Sequence, residues 1–168
     1  MRPATHVASV LCATALGATA CGDSATGPAD DLRLTTSVQP AEFRAGTPVT
    51  VTLTVTNVGS RTWPLYAGDC EEPFMITAAD GRQIPPAARY CNLIARAPLE
   101  LGPSQQRTFA FTWRGDVGTD APGVSNVFLP PGEYQLRGFV RSLGRMRAND
   151  QYDLVPVTAA PVAISVMP

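Results

Sequence analysis

Between Pro48 and Asn57 the chain alternates without a break: Val49, Val51, Leu53 and Val55 take one parity, and Thr50, Thr52, Thr54 and Thr56 take the other. Successive side chains of a β-strand point to opposite faces, so this period of two predicts a strand with one dry face and one wet face. Branching at Cβ in seven of these positions also suits extended backbone better than helix. One-sided burial belongs to antiparallel sheets, and a dry face must be covered by a second layer. That segment alone restricts the fold to packed sheets.

The same period recurs along the chain. Leu32 and Leu34 open a strand that runs to Val38 and is stopped by Pro40; Asn57-Val58-Gly59-Ser60 then supplies turn residues. Arg61 to Tyr66 places Trp63 and Leu65 on one face, and Phe74 to Ala78 is ended by Asp80-Gly81, a hairpin signal. Gln106 to Trp113 sets Phe109, Phe111 and Trp113 against Thr108, Ala110 and Thr112, which assigns both tryptophans to the interior. Glu133 to Arg141, Tyr152 to Val157 and Pro161 to Met167 complete the set. Gln83 to Ala97, broken by prolines and holding Cys91, and Gly115 to Pro131, rich in Gly, Pro and Asp, read as long loops. No stretch carries a helical period over ten or more residues. Roughly seven to nine short strands, with turn signals about every ten residues, predict an all-β, antiparallel, immunoglobulin-like β-sandwich.

Within Leu129-Pro130-Pro131-Gly132-Glu133-Tyr134-Gln135-Leu136, a Gly lies two residues before a Tyr and an inward residue two after it. That spacing matches a tyrosine corner, in which the Tyr134 hydroxyl bonds back to nearby backbone and fixes the crossover between sheets.

The first residues follow another logic. Met1-Arg2 through His6 forms a positive n-region, and Val7 to Ala20 forms a short apolar h-region ending in Ala18-Thr19-Ala20. The run is too short and too rich in Ala and Thr for a membrane span, so it predicts a signal peptide over residues 1–20. Cys21 directly after the small residues predicts a bacterial lipoprotein, cleaved before Cys21 and acylated on its thiol. Gly22 follows where an Asp would favour inner-membrane retention, which favours the outer membrane. Residues 21–30, small, polar and containing Pro and Gly, read as a flexible tether, with the domain spanning 31–168. Residues 21–168 are enough for one domain with a real core.

Four cysteines are present; Cys12 leaves with the leader and Cys21 takes lipid, so Cys70 and Cys91 are expected to form a disulfide in an oxidising compartment. A loop of about 20 residues closed in this way contributes roughly 3 kcal/mol on the chain-entropy account.

Two absences narrow the chemistry. The single histidine is His6, within the leader, and there is no lysine at all. The mature chain therefore lacks an imidazole base or metal ligand, a Schiff-base amine and a phosphate-loop lysine. A net charge of −1 gives no field for nucleic acid. No catalytic residue, metal site or cofactor is expected.

Thr56-Asn57-Val58-Gly59 at a strand end, the strand Phe109-Ala110-Phe111-Thr112-Trp113, and Leu129 to Leu136 together resemble the intracellular proteinase inhibitor (BsuPI-type) domain. The resemblance spans Leu32 to Arg141 and implies an immunoglobulin-like sandwich with inhibition of a proteinase through its loops. An export signal and paired cysteines depart from that family's name, and no inhibitory contact residue is transferable.

Other motifs read as scaffold. Arg114-Gly115-Asp116 leaves a strand; Arg141, Arg145 and Arg147 around Gly144 form a basic loop; Asp69, Glu71 and Glu72 match no calcium-loop spacing. Nothing sets Glu71 or Glu72 across a cleft from Glu133 as a carboxylate pair. The expected function is a lipid-anchored, non-enzymatic binding or scaffolding module of the bacterial cell envelope, with the membrane and a protein as partners. The alternative is a proteinase inhibitor.

Overall fold

A computed structural model describes residues 27–66, 73–87, 98–118, 127–146 and 152–168. A four-residue helical turn, α1 (Pro28–Asp31), leads into β1 (Leu32–Gln39), β2 (Glu42–Arg44), β3 (Val49–Asn57) and β4 (Trp63–Tyr66). Next come β5 (Phe74–Ala78), β6 (Gln83–Ile84), β7 (Leu99–Leu101) and β8 (Gln106–Trp113). Then follow β9 (Asp116–Val117), β10 (Val127–Phe128), β11 (Gly132–Met146), β12 (Tyr152–Thr158) and β13 (Val162–Met167). The fold is an all-β sandwich. The thirteen strands among the described residues exceed the expected seven to nine because five of them, β2, β6, β7, β9 and β10, have only two or three residues.

The small sheet has the order β1-β3-β8, antiparallel throughout, with Leu34 opposite Val55 and Leu53 opposite Phe109. The large sheet is built around β11, fifteen residues long. Its first half, Gly132 to Gly138, pairs with β13 and β5; its second half pairs with β12 and β4. One pair departs from the antiparallel expectation: β2 lies parallel to β13, with Phe43 opposite Val166. β9 and β10 form a separate two-stranded ribbon.

The Val/Thr segment behaves as its period dictates. Val49, Val51, Leu53 and Val55 are buried, and they meet Phe74, Ile76, Leu136 and Ile164 of the opposing sheet in one core. Each such side chain contributes roughly 1.5–3 kcal/mol relative to exposure. At the centre the layers approach closely at Gly138. A Cβ there would collide with the Leu53 side chain and the Thr36 hydroxyl. Thr36, inward by parity with Leu34 and Val38, is reconciled with the dry interior by accepting a 3.2 Å hydrogen bond from Gly138 N–H.

Several expectations need correction. Gln83 to Ala97 is not wholly loop, since Gln83–Ile84 pairs with β5 and Pro86 bridges Val117. Gly115 to Pro131 contains the β9–β10 ribbon. The strand read as ending at Arg141 continues to Met146, so Arg141, Gly144 and Arg145 lie on strand backbone rather than in a basic loop. The tether read as reaching Asp30 stops earlier: Gly27 caps α1, Asp30 Oδ2 accepts from Gly27 N–H at 3.0 Å, and Pro28 is buried.

Candidate functional site

The end of the sandwich that receives the N-terminal segment is organised by one residue. Asn57, the last residue of β3, is fully buried. Its Nδ2 donates to the Arg61 carbonyl at 2.6 Å and to the Leu101 carbonyl at 2.9 Å, while its Oδ1 accepts from Gly59 N–H at 3.0 Å. Its backbone N–H donates to the Gln105 carbonyl (2.9 Å) and its carbonyl accepts from Ser104 N–H (3.0 Å). Asn57 thus ties the β3–β4 turn and the end of β7 through its side-chain amide, and the β7–β8 turn through its backbone. Beside it, Val58 N–H donates to the Asp31 carbonyl at 2.7 Å, and Trp63 Nε1 donates to Asp31 Oδ2 at 2.9 Å. That second bond draws the Trp63 indole to the rim. Trp63 is half-buried, not interior as its parity suggested.

The opposite end holds the aromatic centre. Trp113 stacks edge-on against Phe43 and Phe74, with centroids 5.6 and 5.4 Å away. The Arg114-Gly115-Asp116 triplet is a bend at this end, with Gly115 at φ +78°. Arg114 N–H donates to Asp116 Oδ1 (3.2 Å), Trp113 Nε1 to the Asp116 carbonyl (2.9 Å) and Leu129 N–H to the Gly115 carbonyl (2.8 Å). Those groups are satisfied within the bend itself, the Arg114–Asp116 bond at its surface. The adjoining ribbon leaves Val127 and Phe128 substantially exposed, each at 38 %.

Tyr134 is buried, and its hydroxyl donates to the Pro130 carbonyl at 2.8 Å. Burial pushes the phenol above its ordinary range, and the Arg82 guanidinium pulls partly the other way. A groove of about 320 Å³ runs beside it, lined by Thr77 to Ala79 of β5 and its turn, Glu133 to Gln135 of β11, and Ala163 of β13. Ser165 Oγ donates to Glu133 Oε1 at 2.7 Å. Glu133 is the one carboxylate lining this groove, whereas acid–base hydrolysis of a glycoside needs two.

Cys21, Cys70 and Cys91 lie outside the described residues, as do Asp69, Glu71, Glu72 and Arg147. Among the described residues, no group of three or more His, Cys, Asp or Glu could hold a metal ion, and no helix is long and apolar enough to cross a membrane. Sequence reasoning missed Asn57, read only as a turn residue. Its signal was weak: Asn-x-Gly at a strand end fits an ordinary turn equally well.

No family model matches the chain, and no curated protein matches it. Among solved structures, it is similar to the structural-genomics target SoR45 at 11% identity and TM-score 0.44, covering 83% of this chain and 89% of that one. A CARDB domain from Pyrococcus furiosus, solved in complex with di-metal ions, overlaps at 15% identity and TM-score 0.42, covering 82% and 93%. Spo0M, a sporulation control protein from Bacillus subtilis, overlaps at 11% identity and TM-score 0.42, covering 82% of this chain and 50% of that one. Overlaps this loose transfer no site.

Proposed function

We propose that the chain is an exported, lipid-anchored, non-enzymatic binding module of the bacterial cell envelope, attached through Cys21 and presenting its sandwich to a protein partner. The observation that carries this reading is the order of parts. A short apolar leader ends in Ala18-Thr19-Ala20-Cys21, and only Gly22 to Thr26 separate that cysteine from the capped turn at Gly27. The absence of Lys, and of His beyond His6, supports a binding role over catalysis. A Cys70–Cys91 disulfide would belong to the same compartment. The test is expression of the full chain in a bacterium with two membranes, followed by fractionation and mass measurement of the mature amino terminus. A diacylglyceryl-modified Cys21 in the membrane fraction, and loss of that fraction on Cys21→Ser, are expected. An unmodified terminus would remove the anchor.

A second reading is favoured by the β9–β10 ribbon. Exposed Val127 and Phe128 on an extended strand are the kind of segment a proteinase cleft accepts, and the resemblance to BsuPI-type domains supports inhibition. That support is analogy at the level of fold. Titration of the mature domain against a panel of serine proteinases decides it, and no inhibition at micromolar excess would discard it.

A further inference from the structure

The flank of the sandwich that ends on β8 is unfinished. β8 pairs with β3 from Gln106 to Trp113 without a bulge, and among the described strands none pairs on its other side. Which backbone groups face outward follows from the end of β3. Asn57 N–H donates to the Gln105 carbonyl on the β8 side, and Val58 N–H donates to the Asp31 carbonyl on the β1 side. Bonded and non-bonded pairs alternate along an antiparallel ladder. Odd-numbered residues of β8 therefore bond to β3, and even-numbered ones, Thr108 and Ala110 among them, point N–H and C=O away from it. The Thr54 and Thr108 hydroxyls, 3.3 Å apart, stand as close as a non-bonded pair allows.

Edges of sheets are ordinarily blunted by charge, proline, a bulge or shortness. The outer strands of the large sheet, β2 and β7, have three residues each. β1, the other edge of the small sheet, has its inward Leu32, Leu34 and Val38 buried. β8 has none of these defences from Thr108 to Trp113, a stretch without charge, Pro or Gly. Its inward Phe109 and Phe111 are only half-buried, so part of each side chain stays uncovered beside the bare backbone.

The sequence of this edge selects its occupant. Thr108-Phe109-Ala110-Phe111-Thr112 reads the same in both directions. A second copy laid antiparallel, with a two-fold axis through Ala110, sets each Phe109 against Phe111 of the other copy. Ala110 has the outward parity, so it meets its own copy in a reciprocal pair of N–H···O bonds. The phenylalanine pairs then fall at non-bonded positions, where side chains stand closest. Thr112 already has a partner within the chain, so the bonds at Ala110 carry the pairing. Charge agrees. β8 holds one charged residue, Arg107, and the axis keeps its two copies six residues apart, about 20 Å, beyond the screening length of about 8 Å at physiological salt. A net charge of −1 adds little repulsion between copies. The contact is isologous, so it closes on itself and consumes both bare edges at once.

We propose that the protein self-associates as a two-fold dimer through β8, joining two small sheets into one of six strands in the order β1-β3-β8-β8-β3-β1. The pairing needs no lipid and stands apart from the anchor at Cys21.

Full-length chain extracted in detergent is followed by density-matched sedimentation and by hydrogen exchange. A seam between two strands is smaller than the roughly 800 Å² per partner of a standard interface, so half-association is expected near about 10–100 µM. Across that range the mass of the parent doubles and deuterium uptake over Gln106–Trp113 falls. Ala110→Lys sets two ammonium groups on the axis, and Ala110→Pro removes an N–H that β3 does not use. Each weakens association at least tenfold, while Ser37→Lys, on exposed β1, leaves it unchanged. A parent that stays monomeric, a dimer that survives both Ala110 substitutions, or equal weakening by Ser37→Lys overturns the proposal. Protection of Gln106–Trp113 that does not change with concentration overturns it too, because the chain then covers this edge itself. Exchange in the parent decides the matter where an Ala110 variant fails to fold.

Discussion

Replacing Asn57 with Ala removes three side-chain hydrogen bonds at a position with no access to water. A net bond contributes roughly 0.5–1.5 kcal/mol, and a buried partner left unsatisfied costs about 1–3 kcal/mol. Of the three partners, the Leu101 carbonyl is bonded in fully buried surroundings, while the Arg61 carbonyl and Gly59 N–H are nearer the surface and can recover water. One full penalty and two ordinary bonds sum to about 3–4 kcal/mol. Urea unfolding of the domain should show the midpoint fall with an unchanged slope, since the surface exposed on unfolding is the same. Asn57→Asp sharpens the case. It keeps the Oδ1 acceptor but places a carboxylate against the Arg61 and Leu101 carbonyls, the second in fully buried surroundings. Its folded pKa must therefore rise above the unfolded value near 4. The Asp variant should be least impaired below about pH 4 and should lose further stability as pH rises toward 7, whereas the Ala variant shows no such slope. A loss below 1 kcal/mol for Asn57→Ala, or parallel pH profiles for the two variants, would refute the reasoning.

Three further outcomes are expected. Gly138→Ala drives a methyl group into Leu53 and Thr36 between the sheets, and should cost about 3 kcal/mol in the same denaturation assay. Tyr134→Phe should lose about 1 kcal/mol at neutral pH with its bond to Pro130. Because burial raises the Tyr134 pKa, the native state favours the neutral phenol. Its contribution is complete below about pH 10 and fades above it, so the gap between parent and Phe variant in thermal melts should narrow by pH 10.5. Thr54→Val, which removes only an exposed 3.3 Å contact with the Thr108 hydroxyl, should change stability by less than about 0.5 kcal/mol.

What was legible in the sequence follows from length and repetition. Over nine residues, β3 repeats its period often enough to reveal both face and neighbour requirement. β2 offers three residues, so Phe43 gave no sign that it would be 2 % exposed against Trp113. The β9–β10 ribbon hides among Gly, Pro and Asp because two-residue pairings are made by register across a gap, not by local propensity. β11 runs on through Arg141 and Gly144 because β12 pairs beside it, a nonlocal cause that the local composition cannot announce. Phe109 and Phe111 have the inward parity but are only half-buried, since β8 pairs on one side only among the described strands. As for the site, Tyr134 was visible through its spacing from Gly132. The Asn57 clamp was not, because its partners come from Arg61, Leu101 and Gly59 at once.

The parallel pairing of β2 with β13 joins residues more than a hundred positions apart in sequence. β13 also closes one flank of β11, so Glu42–Arg44 and Gly132–Leu136 both wait for the same late segment. A ribosome delivering the chain in order has produced β1 through β12 before that seam can be sewn. Until then the small sheet can zip locally while the large one remains a collection of hairpins. The large sheet is therefore closed only once β13 is available to pair with both β2 and β11.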